Sequence, residues 1–161
     1  MIKKFELDLS SKITILGVEL FRIKALISFG DVEKGEIGGY IEKEDNLSHC
    51  GNAWVYGNAR VSGNARVSGN AWVSGNAWVS GDARVSGDAR VSKLNDYILF
   101  KNTWSSGRYF TYTKSNKMWR VGCFYGTGEE LIKKAYEDSE KSGKHYETYV
   151  NFVKTLEALD K

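Results

Sequence analysis

The sequence predicts a mainly β protein, in which a short parallel β-helix sits between an N-terminal β cap and a small α+β module. Three observations predict it. Residues 51–92 repeat every six positions without a break in phase. Glycine is periodic through that stretch, and proline is absent from the whole chain. The flanks have a different texture: β-type runs precede the repeat, and strand-like runs followed by two amphipathic segments come after it. These shifts divide the chain into 1–50, a β cap with a lead-in coil; 51–92, the repeat; and 93–161, a β-meander with two helices.

The N-terminal block reads as a hairpin, with a strand over 12–16, a turn at Gly17 and a strand over 18–27. Residues 39–50 suit one irregular coil, with Ile41 and Leu47 in phase with the alanines of the repeat. The repeat itself reads Gly51-Asn-Ala-Trp-Val-Tyr, then six further hexads ending with Gly87-Asp-Ala-Arg-Val-Ser. A period of six excludes an α-helix, whose turn is about 3.6 residues. It suits short strands joined by corners. Gly followed by Asn or Asp supplies the left-handed backbone that a tight corner needs. Ala and Val stand two apart, so they share one strand face and fill a narrow interior. The fourth position, Trp or Arg, then points outward.

After the repeat, strand-like runs fall at 97–102, 108–113 and 118–124. Thr127 and Glu130 have capping-box spacing and open a helix over about 128–141. Ser142-Gly143 interrupts it. A second helix over about 144–159 places Tyr146, Tyr149, Val150, Val153 and Leu156 on one stripe. Two small modules at the ends of a short rod have a clear use, because an open β-helix end is an unpaired sheet edge.

With these residues in view, the chain resembles hexapeptide-repeat left-handed parallel β-helix proteins. The Gly-Asp/Asn-Ala-x-Val-x array is also similar to arrays in phage and prophage proteins of unknown function, and segments 20–26 and 35–42 look like the lead-in of that group. The resemblance implies three hexads per coil, with residue i above residue i+18. The outward residues would then sort into three columns: Trp54, Trp72, Arg90; Arg60, Trp78; and Arg66, Arg84. Coils would be about 4.8 Å apart. Hexapeptide β-helices resemble proteins that pack as trimers along their prism edges, so a homotrimer is the favoured assembly.

Charge sets bounds on function. Residues 1–50 carry 7 basic against 9 acidic side chains, 51–92 carry 4 against 2, and 93–161 carry 12 against 9. No segment is basic enough for nonspecific nucleic-acid binding by charge alone. The two cysteines, Cys50 and Cys123, form no disulfide pattern. No apolar run follows the opening lysines, and none approaches a membrane span. Cytoplasmic residence is the expectation, in the host cell if the protein is phage-encoded.

The outward columns Trp54, Arg60, Arg66, Trp72, Trp78, Arg84 and Arg90 are the first candidate site. They suit a subunit interface, a ligand contact or a solvated surface. Trp and Arg are hot-spot residues, and they also stack on bases and pair with phosphates. Trp104, Arg108, Tyr112 and Arg120 form a second candidate, whose bland reading is a small sheet packed under two helices. Gly126-Thr127-Gly128 could form an anion nest, but Glu129 and Glu130 already supply negative charge there.

No catalytic residue, metal ligand set or cofactor is expected. His49 lies beside Cys50 at the start of the rod, and His145 near the start of the last helix. Many hexapeptide-repeat proteins are acyltransferases with a histidine as general base, but neither histidine here lies in the regular coils and no loop protrudes from 51–92 to build an acyl-donor pocket. Asp82 and Asp88 read as interchangeable corner residues. The functional expectation is a non-enzymatic oligomeric binding protein, sequestering a small anionic ligand such as a signalling nucleotide in an anti-defence role. The alternatives are a scaffold for a host protein partner and an acyltransferase-like enzyme.

Overall fold

The computed structural model describes residues 1–161. A long hairpin opens the chain, with strand β1 over Phe5–Ile15, a turn at Leu16-Gly17 and strand β2 over Val18–Ala25. Strand β3, Ile37–Ile41, pairs antiparallel with β2 and then parallel with the repeat. Seven two-residue strands follow: β4 Trp54–Val55, β5 Arg60–Val61, β6 Arg66–Val67, β7 Trp72–Val73, β8 Trp78–Val79, β9 Arg84–Val85 and β10 Arg90–Val91. They stack in parallel as β3-β5-β8, β4-β7-β10 and β6-β9. The register pairs Trp54 with Trp72, Arg60 with Trp78 and Arg66 with Arg84, an 18-residue step.

The corners form as the residue types require. Each repeat glycine has positive φ, from +58° at Gly57 to +74° at Gly51, a region that a Cβ penalises. Corner side chains also form ladders: Asn64 donates to Asp82 at 3.3 Å and Asn70 to Asp88 at 3.1 Å. Asp82 and Asp88 thus act as acceptors for the corner below. Inside, every repeat Ala and Val is fully buried in one 21-residue core cluster.

The backbone bonds give the solenoid a direction. Trp54 N donates to Ala71 O, Tyr56 N to Val73 O and Trp72 N to Ala89 O, so two of the three ladder bonds at each step run from a coil to the next, and the third, inside the strand pair, runs back. The N-terminal end therefore presents mainly bare carbonyls and needs mainly donors. The C-terminal end presents mainly bare N–H groups, which need acceptors, and a few carbonyls, of which Trp78 O accepts from the Tyr97 hydroxyl at 3.0 Å. At the first end, buried Lys4 donates through Nζ to Ala53 O at 2.8 Å and Gly51 O at 3.3 Å. Buried Asn46 donates to Ala65 O at 2.9 Å and Gly63 O at 3.1 Å. At the other end, Thr111 Oγ1 accepts from Arg84 N, Ser115 Oγ from Arg90 N, Tyr97 Oη from Ser80 N and Asp96 Oδ2 from Ser92 N.

The lead-in coil differs from its expected phase. Ile41 pairs with Val61 and Leu47 bridges to Val67, so both occupy the valine position rather than the alanine position. The corner after Leu47 is two residues longer than the repeat corners. It carries His49, whose Nδ1 accepts from Lys4 N at 3.1 Å. Gly39 takes the alanine position, where an added Cβ would stand 2.6 Å from Ala59 O.

The C-terminal module is a four-stranded antiparallel sheet under two helices. Its strands are β11 Tyr97–Lys101, β12 Tyr109–Thr113, β13 Met118–Val121 and β14 Phe124–Gly126. Helices α1, Gly128–Asp138, and α2, Glu140–Leu159, cover one face. Phe110, Tyr112, Trp119, Leu131, Ala135, Tyr146, Val150 and Val153 form its core. The helix break falls at Ser139, which is extended and accepts from Ser142 N, rather than at Ser142-Gly143. Gly143 lies inside α2 because the Tyr136 ring packs against it; a Cβ there would meet Tyr136 Cδ1 at 2.3 Å. No helix is long and apolar enough to cross a membrane.

Candidate functional site

The three columns lie on three different faces of the solenoid. On the first, Trp54, Trp72 and Arg90 stack in register, and the Arg90 guanidinium sits 4.0 Å over the Trp72 ring. Trp54 is not outward in effect. It is fully buried, with Phe5 and Phe29 edge-on at 6.3 and 5.4 Å. The N-terminal hairpin and the loop after it fold over that first coil and turn its tryptophan into core. On the second face, Tyr40, Arg60 and Trp78 stack, with Arg60 5.7 Å from the Trp78 ring. Trp78 is anchored there, since its Nε1 donates to Ser62 Oγ at 2.7 Å.

The third face is different, because Arg66 and Arg84 are exposed and no aromatic ring covers them. The C-terminal sheet extends this column. In β12 and β13, Phe110, Tyr112 and Trp119 face the helices, so the alternate residues Thr111 and Arg120 face the solenoid end. Thr111 pairs with Arg120 in the sheet and accepts the Arg84 N–H at 2.9 Å. Arg66, Arg84 and Arg120 consequently line one cavity of about 610 Å³. Its far end is lined by Glu44, Asp45, His49 and Cys50. A smaller cavity of about 210 Å³ joins Arg84 to Arg108, Tyr109 and Asp82.

None of the arginines takes part in an ion pair; every ion pair in the protein uses lysine or histidine. The acidic end of the cavity is partly neutralised. Glu44 accepts from His49 Nε2 at 2.6 Å and lies 3.4 Å from Lys3 Nζ. The His49 hydrogen bond, with Lys3, holds its carboxyl below the usual range. Asp45 has no such partner among the hydrogen bonds and ion pairs.

The second candidate cluster separates. Arg120 and Arg108 belong to the arginine face. Trp104 packs into the helical module, stacked on His145 at 4.5 Å and edge-on to Tyr146 at 4.9 Å. Tyr112 is buried, and its hydroxyl donates to Glu157 Oε1 at 2.6 Å. Burial, with that carboxylate, raises its pKa. Neither ring is free for a ligand, because the helix stripe covers that sheet face.

The chemistry of the histidines is constrained. His49 accepts at Nδ1 and donates at Nε2, so neither ring nitrogen is free to take a proton from a substrate. His145 Nδ1 pairs with Lys141 O at 2.7 Å. Thr127 and Glu130 cap α1 reciprocally, which fills the position where an anion would sit. No three His, Cys, Asp or Glu side chains come together to hold a metal ion.

Parallel coils with a buried Ala/Val bore, open sheets and sealed ends define a repeat β-solenoid protein. Within that class, residues 53–66, 59–75 and 65–81 match the family described as YdcK beta solenoid repeat. No curated protein matches the chain.

Proposed function

We propose that this protein is a non-enzymatic binding protein that holds a small anionic ligand on its third solenoid face. The observation that carries the reading is the run of unpaired arginines, Arg66, Arg84 and Arg120, along one 610 Å³ cavity. Guanidinium groups bind phosphate and carboxylate in a two-pronged geometry that lysine lacks. A nucleotide used in signalling suits such a groove, and sequestering one would serve a phage countering host defence. The finer form of this reading is a left-handed coil assembled as a trimer. Half-buried Trp72 and Trp78 on the other two faces support subunit contacts there.

Thermal shift at low salt, against cyclic and linear nucleotides, tests the reading. A ligand at about 100 times its dissociation constant adds about 2.7 kcal/mol. The shift is expected to vanish in Arg66→Gln/Arg84→Gln, and no shift with any anion rejects the reading.

A second reading, a scaffold for protein partners, is favoured by the N-terminal hairpin, which leaves Leu9 and Leu16 70% and 91% exposed. Native mass spectrometry of the purified protein separates the two: a retained small molecule supports the first, and an oligomer without one supports the second. Acyl transfer gains nothing from His49, whose ring nitrogens are both engaged.

A further inference from the structure

We infer that the ligand of the arginine groove is a phosphate ester lying along the solenoid axis, its phosphate between Arg84, Arg120 and Ser86 and its hydroxyl- or amino-bearing end against Asp45. The inference rests on the anion-binding reading and adds to it the ligand's class and direction.

Ser86 carries the first step. It stands two residues after Arg84, so its side chain emerges on the same outward face. It lines the arginine cavity, yet it is only 8% exposed. Its hydroxyl has no hydrogen-bond partner. Its backbone N–H, in the last coil, also has none, whereas the matching N–H groups of Ser80 and Ser92 are taken by Tyr97 and Asp96. A buried residue with two unmet donors is costly unless something accepts from it. A tetrahedral oxyanion does so from one position: its oxygens point in different directions, toward Ser86, Arg84 and the Arg120 that crosses from the sheet. A planar carboxylate offers its lone pairs in one plane, which suits donors arriving from the last coil and from the crossing sheet less well than a tetrahedral anion does.

The second step is the polarity of the groove. Four levels follow the axis: Asp45 at the N-terminal mouth, then Arg66, then Arg84 with Ser86, then Arg120. At about 4.8 Å per level the groove is roughly 14 Å long, longer than a lone phosphate needs. A free carboxylate at its mouth would repel an anion and accept from hydroxyl or amino groups. A phosphate ester of a sugar or nucleoside has that bipolar character, with the anion at one end and neutral donors at the other.

Isothermal titration calorimetry at low salt tests this with inorganic phosphate, ribose 5-phosphate, adenosine monophosphate and adenosine. The two esters are expected to bind at least about tenfold more tightly than inorganic phosphate, and adenosine not to bind measurably. Arg84→Gln and Ser86→Ala should each weaken every phosphate titrant, by about tenfold or more for the charged contact. Asp45→Ala should abolish the preference for esters while leaving inorganic phosphate as tight or tighter. Arg84 and Asp45 are exposed, so an unchanged melting temperature verifies that those variants fold. Binding of phosphate and esters with equal affinity overturns the inference and leaves the anion-binding reading standing. Ester preference that persists in Asp45→Ala overturns the assigned direction. No heat with any titrant overturns both.

Discussion

Lys4 gives the sharpest test of how the solenoid is closed. Its ammonium is buried, held by two carbonyls of the first coil and 4.6 Å from the Phe29 ring. Burial, slightly opposed by nearby Cys50, lowers its pKa to about 8, against about 10.4 for an ordinary lysine. The sign follows from proton counting. Between these two values the unfolded chain holds a proton that the folded chain has released, so stability rises with pH. Below pH 8 both states are charged, and folding bears the full cost of burying the ammonium, roughly 3 kcal/mol. Raising the pH from 7 to about 9.5 should recover about 2 kcal/mol of it. The neutral amine still donates to Gly51 and Ala53. Urea unfolding followed by tryptophan fluorescence at the two pH values measures the gain. Lys4→Met is the reference, because it cannot titrate and it shares the tyrosines whose raised pKa values act in the opposite direction above pH 10. If the wild-type and Lys4→Met profiles run parallel, the buried-ammonium cap is wrong.

Asn46→Leu keeps the volume but strands two carbonyls and the Lys43 N–H; at about 1–3 kcal/mol each, a loss of roughly 3 kcal/mol or more is expected in the urea midpoint, and a change below about 1 kcal/mol contradicts the capping role. Gly51→Ala and Gly57→Ala share the left-handed backbone cost, about 1–2 kcal/mol, but only at Gly51 would the new Cβ strike the next coil, 2.5 Å from Gly69 O. Gly51→Ala should therefore melt lower than Gly57→Ala, and equal melting temperatures would refute the tight coil contact. Gly143→Ala should destabilise by collision with the Tyr136 ring, although alanine in a helix is favoured by about 1 kcal/mol; a raised melting temperature contradicts the close approach of α1 and α2.

The repeat was legible because its physics is local. Gly at a left-handed corner, Ala and Val on one face and a six-residue period leave little choice of fold, and the 18-residue columns formed as the family resemblance implies. What escaped depends on the ends. Trp54 has the same hexad as Trp72, yet only Trp54 lies beneath Phe5 and Phe29, which come from distant chain. Ile41 and Leu47 carry the right residue type for the bore, but the longer corner holding His49 shifts them by two positions. The arginine face was half visible: Arg66 and Arg84 declare themselves by period, while Arg120 joins them only once strand alternation in β13 is combined with the docking of the sheet on the last coil. The alternation of Phe110, Tyr112 and Trp119 was a usable signal for that. Ser86 has the same hexad context as other repeat serines, and its hexad contains no hint that its partner is missing.

Those ends also explain why a binding groove would lie where it does. A parallel solenoid has an axial direction, so its two mouths differ in their main demand: chiefly donors at one, chiefly acceptors at the other. Lys4 and Asn46 meet the first demand with buried side chains. Thr111, Ser115, Tyr97 and Asp96 meet the second. Under the third face the Ser86 N–H and hydroxyl are left without an acceptor, and Arg120, a donor, lines the same cavity. Arg120 cannot correct that mismatch, because its guanidinium and the Ser86 N–H both donate. An external acceptor satisfies both at once. The same requirement for acceptors that seals the other two faces thus makes this one a place for an anion, and a Ser86→Ala variant should be more stable than wild type without ligand and less stabilised by it.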